Sequence, residues 1–216
     1  MDGRSARWEA HREERRRTLI SASRKAVHRL GADASMEDIA AAAGTSKSVF
    51  YRYFSDKVGL QQAVAEVVIE RMQDKILQAA KTAATPRQGL LNMVSAYLEM
   101  AETSPAVYDF VTRSPGGMAG GHGVPAVHGA LGHFFDEVVA MLARPMSVHL
   151  GAADSTLLNY WPTAAVGLVR TAGERWLSTP ASPTKPDHIR MAGQITSWLL
   201  RGIDADIGVG PAGTDA

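Results

Sequence analysis

SMEDIAAAAGTSKSVFYRYF, residues 35–54, reads as two short helices joined by a tight turn. Ser35 supplies an N-cap, and Asp38, three residues on, puts a carboxylate near the free amides of the first turn, close to a capping box. Met36, Ile39, Ala40 and Ala43 recur at helical spacing and make one apolar face. The alanines on that face are small enough for a neighbouring helix to approach closely. Gly44 ends the helix, because glycine enters the left-handed conformation without a steric penalty. Ser46 is placed to cap the second helix, where Phe50 and Phe54, four apart, form the buried side. Lys47, Ser48, Tyr51 and Arg52 are left pointing elsewhere. Such residues are poor core material and suit a phosphate-lined groove. A helix-turn-helix sets the N-terminal residues of its second helix against base edges in the major groove. Read alone, the pattern also fits a solvated face on an ordinary helical hairpin.

The longer run GTSKSVFYRYFSDKVGL, residues 44–60, resembles the DNA-binding signature of the TetR family of bacterial repressors. There a glycine turn leads into a short recognition helix, an aromatic pair, an Asp/Ser-Lys step and a leucine that opens a long connecting helix. The specific part of the resemblance covers roughly residues 12–60 and says almost nothing about ligand. It implies that Lys47, Ser48 and Val49 fall where base edges are read, and that Tyr51, Tyr53 and Lys57 fall where the DNA backbone is held. Arg52 shares their exposed side. Tyr53 stands where the family carries a small residue or histidine. Val49 replaces a common threonine and offers only a methyl contact to thymine.

Charge is distributed as this reading requires. The 216-residue chain carries a net charge of only +1, but residues 1–60 hold 12 Lys and Arg against 8 Asp and Glu, and residues 61–216 hold 11 against 14. Positive charge therefore gathers around the helix-turn-helix. There is no cysteine, so no disulfide framework and no thiolate metal site, which suits a reducing cytoplasm. No run approaches the ~18 apolar residues of a membrane span, and the charged N-terminus lacks the apolar core of a secretion signal.

In chain order, residues 1–11 read as a mobile arm and Arg12 to Leu30 as the first helix. Arg15, Arg16 and Arg17 at its start suit DNA phosphates or the minor groove, or form a solvated basic face. Residues 12–57 make the expected helix-turn-helix domain. Ser55 is expected to cap a long helix from Asp56 to about Thr82, whose apolar stripe suits either a lever between domains or a core helix. Further helices follow from Thr85-Pro86 and Ser104-Pro105. Ser114 to Gly123 is a glycine-rich loop without the features of a phosphate-binding P-loop. A helix over Val124 to about Ala143 and one from Asp154 to Leu177, kinked at Pro162, come next. Asp187 to about Ile207 makes the last helix, and residues 208–216 read as a disordered tail. The expectation is an all-α chain of about nine helices, with residues 58–207 as a ligand-binding and dimerisation domain.

Specific DNA reading by one short helix is too sparse, and a twofold dimer on a palindromic site doubles it. The resemblance implies that the last two helices pair with a partner's. Gly167, Gly173, Trp176, Trp198, Leu199, Gly202 and Ile203 are the candidates for that homodimer surface, with an intrachain core as the other reading. It also implies an effector cavity. Met93, Tyr97, Met100, Tyr108, Phe110, Phe134, Met141 and Trp161 are large, soft and uncharged, and fit a mainly apolar, lipid-like or aromatic effector, or else a plain core. His122, His128 and His133 lack the spacing and further ligands of a zinc site, so no metal or cofactor is expected. The expectation is a ligand-released, operator-binding repressor in the cytoplasm. Two other readings are a DNA-bound scaffold for a protein partner and a helical enzyme. No Gly-x-Ser-x-Gly, His-Glu-x-x-His or dinucleotide fingerprint supports the enzyme.

Overall fold

The computed structural model describes residues 3–112, 134–143 and 160–202. Among them all regular structure is helical: α1 (Gly3–Leu30), α2 (Met36–Ala42), α3 (Lys47–Phe54), α4 (Lys57–Lys81), α5 (Pro86–Thr103), α6 (Pro105–Thr112), α7 (134–143), α8 (Trp161–Ser178) and α9 (His188–Arg201). No helix of the described residues is long and apolar enough to cross a membrane. The chain divides into two compact units, Met1–Arg71 with Thr103–Phe134, and Met72–Glu102 with Phe135–Ala216.

In the first unit, Leu19, Ser23 and Val27 of α1 repeat every four residues and are fully buried with Ile39, Phe50, Leu60 and Val64. The Ser23 hydroxyl is satisfied within its own helix, donating to the Leu19 carbonyl at 2.7 Å. Alpha-six belongs to this unit. It packs on α1, and the Gln61 side-chain amide of α4 donates to the Phe110 carbonyl at 2.6 Å. The compact unit therefore reaches past the boundary at residue 57 expected from sequence.

Three expected element limits are corrected. Residues 3–11 continue α1 instead of forming a mobile arm. Residues 4–11 contain no proline or glycine, and their arginines, alanines and glutamate are strong helix formers. Arg12 also lies over the Trp8 ring at 5.8 Å. Ser55 does not cap α4. It sits at φ 64° as the C-cap of α3, and Asp56 Oδ1 accepts the Gly59 amide at 2.7 Å instead. The last helix ends at Arg201, not near Ile207. Gly202 takes φ 70°, a conformation that stops a helix cheaply only at glycine.

The second unit contains the end of α4, then α5, α7, α8 and α9. Leu98 of α5 and Ile195 of α9 are fully buried there. Pro162 occupies the first turn of α8, where its missing N–H has no helical partner to lose, so the described helix has no proline kink. Asp187 caps α9 by accepting the Arg190 amide at 2.8 Å. The glycine-rich loop at 114–123, the first part of the helix expected from Val124, residues 154–159, the three histidines at 122, 128 and 133, and the 208–216 tail lie outside the described residues.

Candidate functional site

The site begins with the cap of α2. Ser35 Oγ accepts the Asp38 amide at 3.1 Å, and the Asp38 carboxylate accepts from the Ser35 amide at 3.0 Å and the Ser35 hydroxyl at 2.6 Å, completing the capping box. Those bonds, the side-chain one first, hold the Asp38 carboxyl below the usual aspartate range. At the other end of α2 the chain reverses through Gly44 at φ 65°, and the Thr45 amide returns to the Ala40 carbonyl at 3.1 Å. Ser46 holds the N-cap backbone conformation of α3, but its hydroxyl pairs with that of Ser48 at 2.9 Å and not with a helix amide.

This geometry divides α3 into two faces. Phe50 is fully buried and Phe54 nearly so, their ring centroids 5.7 Å apart and tilted by 39°. Lys47, Ser48, Tyr51 and Arg52 are exposed, and Val49 and Tyr53 are half-buried. Tyr51 is 42% exposed, a large ring kept in water by a helix whose two phenylalanines are buried. The Lys47 ammonium lies 5.8 Å from the Tyr51 ring centroid. It donates to the Glu37 carboxylate at 2.5 Å, and that bond chiefly holds its pKa above the usual lysine value. Glu37 was not among the residues singled out from sequence. Its signal is a second carboxylate in the first turn of α2, ten residues before Lys47 and not needed for the cap.

The other basic residues are placed unequally. The Arg52 guanidinium stacks over Tyr53 at 5.5 Å. Lys57 Nζ reaches the Asp33 carbonyl at 3.3 Å. Arg15 is exposed, and Arg17 is exposed with Glu13 at 3.5 Å. Arg16 is half-buried with its guanidinium 5.8 Å from the Phe54 ring centroid, so it packs against the base of α3.

In the second unit a cavity of about 510 Å³ opens among the α4–α5 connection, α5, α7, α8 and α9. Of the eight candidate effector residues, Met93, Met141 and Trp161 line it, together with Leu90, Leu142 and Leu200, which sequence reasoning passed over. Arg87 supplies a cation to the lining. The others are not brought there. Tyr97 is buried against Gly173, Met100 is half-buried and Phe134 is buried. Tyr108 and Phe110 are buried on α6 in the first unit, because that short helix turns its aromatic side inward.

The candidates for a subunit interface divide likewise. Among the described residues nothing would lie within 4 Å of a side chain at Gly167, so they leave that face of α8 uncovered. Gly173 is committed to its own subunit: a Cβ there would lie 3.0 Å from Leu98 and Tyr97. Trp176 is also internal, 4% exposed, its ring N–H donating to the Pro186 carbonyl at 2.8 Å. Trp198 and Leu199 are half-buried, Gly202 is a helix cap, and Ile203 lies outside the described residues. Leu168, Ile189 and Gly193 of the same two helices were not among the interface candidates. Leu168 is 37% and Ile189 65% exposed, and Gly193 is as open as Gly167.

Residues 19–64 match the family model for bacterial regulatory proteins of the tetR family. Over 180 residues the chain is 30% identical to an uncharacterized HTH-type transcriptional regulator of Mycobacterium tuberculosis, covering 83% of this chain and 74% of that protein. It is 36% identical over 101 residues, 46% of each chain, to the HTH-type transcriptional activator FasR of Mycolicibacterium smegmatis. Among solved structures it resembles a TetR-family transcriptional regulator from Pectobacterium atrosepticum, with a TM-score of 0.65 and 26% identity over 89% of this chain and 95% of the other.

Proposed function

The chain belongs to the tetR family of bacterial regulatory proteins and is an HTH-type transcriptional regulator; from that premise we propose that it binds a palindromic operator as a homodimer and leaves it when a mainly apolar small molecule occupies the second unit. The observation that carries the DNA half of this reading is the division of α3. Phe50 and Phe54 hold the helix to its unit, while Lys47, Ser48, Tyr51 and Arg52 remain in solvent. Lys47, Ser48 and Val49, at the start of the helix, read base edges. Tyr51, Arg52, Tyr53, Lys57, Arg15 and Arg17 hold phosphates, which adds affinity and salt dependence but no sequence choice. Arg16 supports α3 from below.

The open faces of α8 and α9 support a second copy of the chain as partner. Gly167 and Gly193 present bare backbone, and Leu168 and Ile189 present apolar side chains to solvent. Two copies related by a twofold axis meet such a face symmetrically and present two reading helices, spaced by a whole number of DNA turns of ~34 Å. The 510 Å³ cavity lies in the size range of small-molecule sites. Its Met93, Met141, Leu90 and Trp161 favour an apolar body, and Arg87 favours a polar or anionic end. Release follows if the effector binds better to the arrangement that fits the operator worse. Each ligand then weakens the other by the same factor. The likeness to a transcriptional activator makes activation the second reading of the same coupling. A DNA target fits a cytoplasmic protein.

The test is selection from a random duplex pool, then titration of the complex with apolar carboxylates and aromatic compounds. A palindromic consensus and compound-dependent release support the proposal. A non-palindromic consensus bound by a single subunit refutes the dimer. A panel that neither shifts melting nor releases DNA refutes the apolar effector.

A further inference from the structure

We propose that Glu37 is a specificity-determining residue of the DNA site: its carboxylate holds Lys47 in the free protein and penalises any duplex that does not offer Lys47 a matched base acceptor. The inference rests on the reading that α3 enters the major groove. Two carboxylates stand in the first turn of α2, and they are used differently. Asp38 is consumed by the cap, bonded to the amide and hydroxyl of Ser35. Glu37 takes no part in the cap and reaches across the turn to Lys47 Nζ, 2.5 Å away.

This pair stabilises the fold little. The Lys47 and Glu37 side chains are 46% and 67% exposed, and an ion pair so well solvated contributes almost nothing to stability. Its position matters more. Lys47 is the first residue of α3 and one of the three that the DNA reading places at the base edges. A carboxylate beside it repels phosphates and competes with them for the ammonium. A lysine that trades Glu37 for a guanine O6 and N7 recovers its hydrogen bonds. A lysine that meets a mismatched base edge finds no such acceptor and stays with Glu37, so it gives that duplex no phosphate contact in place of the base contact. Discrimination by this route uses a repulsive element in addition to an attractive one.

The test uses the full chain. A duplex selected from a random pool by the wild type, and a shuffled duplex of equal length, are titrated by fluorescence anisotropy at one salt concentration. Glu37→Gln is expected to raise affinity for the shuffled duplex by about three- to tenfold and for the selected duplex by less, so selectivity falls. Glu37→Asp keeps the charge and restores most of the selectivity. In a Lys47→Gln background, Glu37→Gln changes the ratio no further. An unchanged ratio on Glu37→Gln overturns the inference. So does an equal fall in both backgrounds, which is general repulsion and not action through Lys47. A wild-type chain that selects no duplex at all refutes the DNA reading itself, a different outcome from a wild type that selects normally while Glu37→Gln retains its ratio.

Discussion

Phe50 and Tyr51 are neighbours on α3, yet their truncation should have opposite consequences. Phe50 is fully buried and its ring packs 5.7 Å from that of Phe54. Phe50→Ala removes a whole ring from a closed site, for which the usual loss is about 3–5 kcal/mol. Part of that loss is the aromatic contact itself, ~0.5–1.5 kcal/mol beyond area burial. With a urea dependence of about 1–3 kcal/mol per molar for a small domain, the midpoint of unfolding should fall by roughly 1–5 M. Total stability is only about 5–15 kcal/mol, so this loss removes a large share of it. Tyr51 is 42% exposed, and surface truncations away from special features stay within about 0.5 kcal/mol. Tyr51→Ala should therefore unfold at the wild-type midpoint while binding every duplex more weakly. Urea denaturation followed by circular dichroism, and anisotropy titration against selected and shuffled duplexes, read the two effects separately. If Tyr51→Ala loses as much stability as Phe50→Ala and keeps its DNA affinity, the faces of α3 have been assigned the wrong way round.

Lys47→Ala should lower the preference for the selected base pair at one position by about ten- to a hundredfold while leaving shuffled DNA much less affected, as competition titrations with single-position variants would read. Gly173→Ala should destabilise the second unit by no more than about 2 kcal/mol, measured by thermal melting: its Cβ would lie 3.0 Å from the fully buried Leu98 and from Tyr97, an overpacking cost of about 1–3 kcal/mol offset by about 1 kcal/mol of helix propensity. The Asp38 carboxyl, lowered by Ser35 from its ordinary value of 3.8, contributes stability that is present above that value and lost as pH falls through the lower folded one. Asp38→Asn should thus flatten the acid limb of the stability–pH profile below about pH 4. Met93→Trp should fill the cavity beside Leu90 and Trp161, abolishing effector-dependent release while leaving DNA binding in place; undiminished release would move the effector site elsewhere.

The reading helix was legible because local rules and packing agree there. Ser35, Asp38 and Gly44 act through bonds to their own neighbours, and the four-residue step from Phe50 to Phe54 specifies which side is buried. Helix limits failed where one residue's backbone decided the outcome. Ser55 at φ 64° hands the cap to Asp56, and Gly202 ends α9 early. The second unit was less legible. Methionine and aromatic residues at helical spacing look alike whether they fill a core or line a space. Only tertiary packing separates Met93, which borders the cavity, from Tyr97, which rests on Gly173 one turn later. Gly167 and Gly173 likewise share a type and a helix, yet one is open and the other filled by α5. Glu37 escaped notice because its partner is ten residues away across a turn.

The central claim is that the solvent-facing side of α3 reads DNA sequence. Its most direct measurement is the affinity of the wild-type chain for the duplex it selects, set against a shuffled duplex at physiological salt. A ratio of about a thousandfold or more is expected, as specific regulators show, collapsing when Lys47, Ser48 and Tyr51 are replaced together by alanine in a chain that still melts normally. Equal affinity for the two duplexes, or a ratio untouched by that triple replacement, would contradict it.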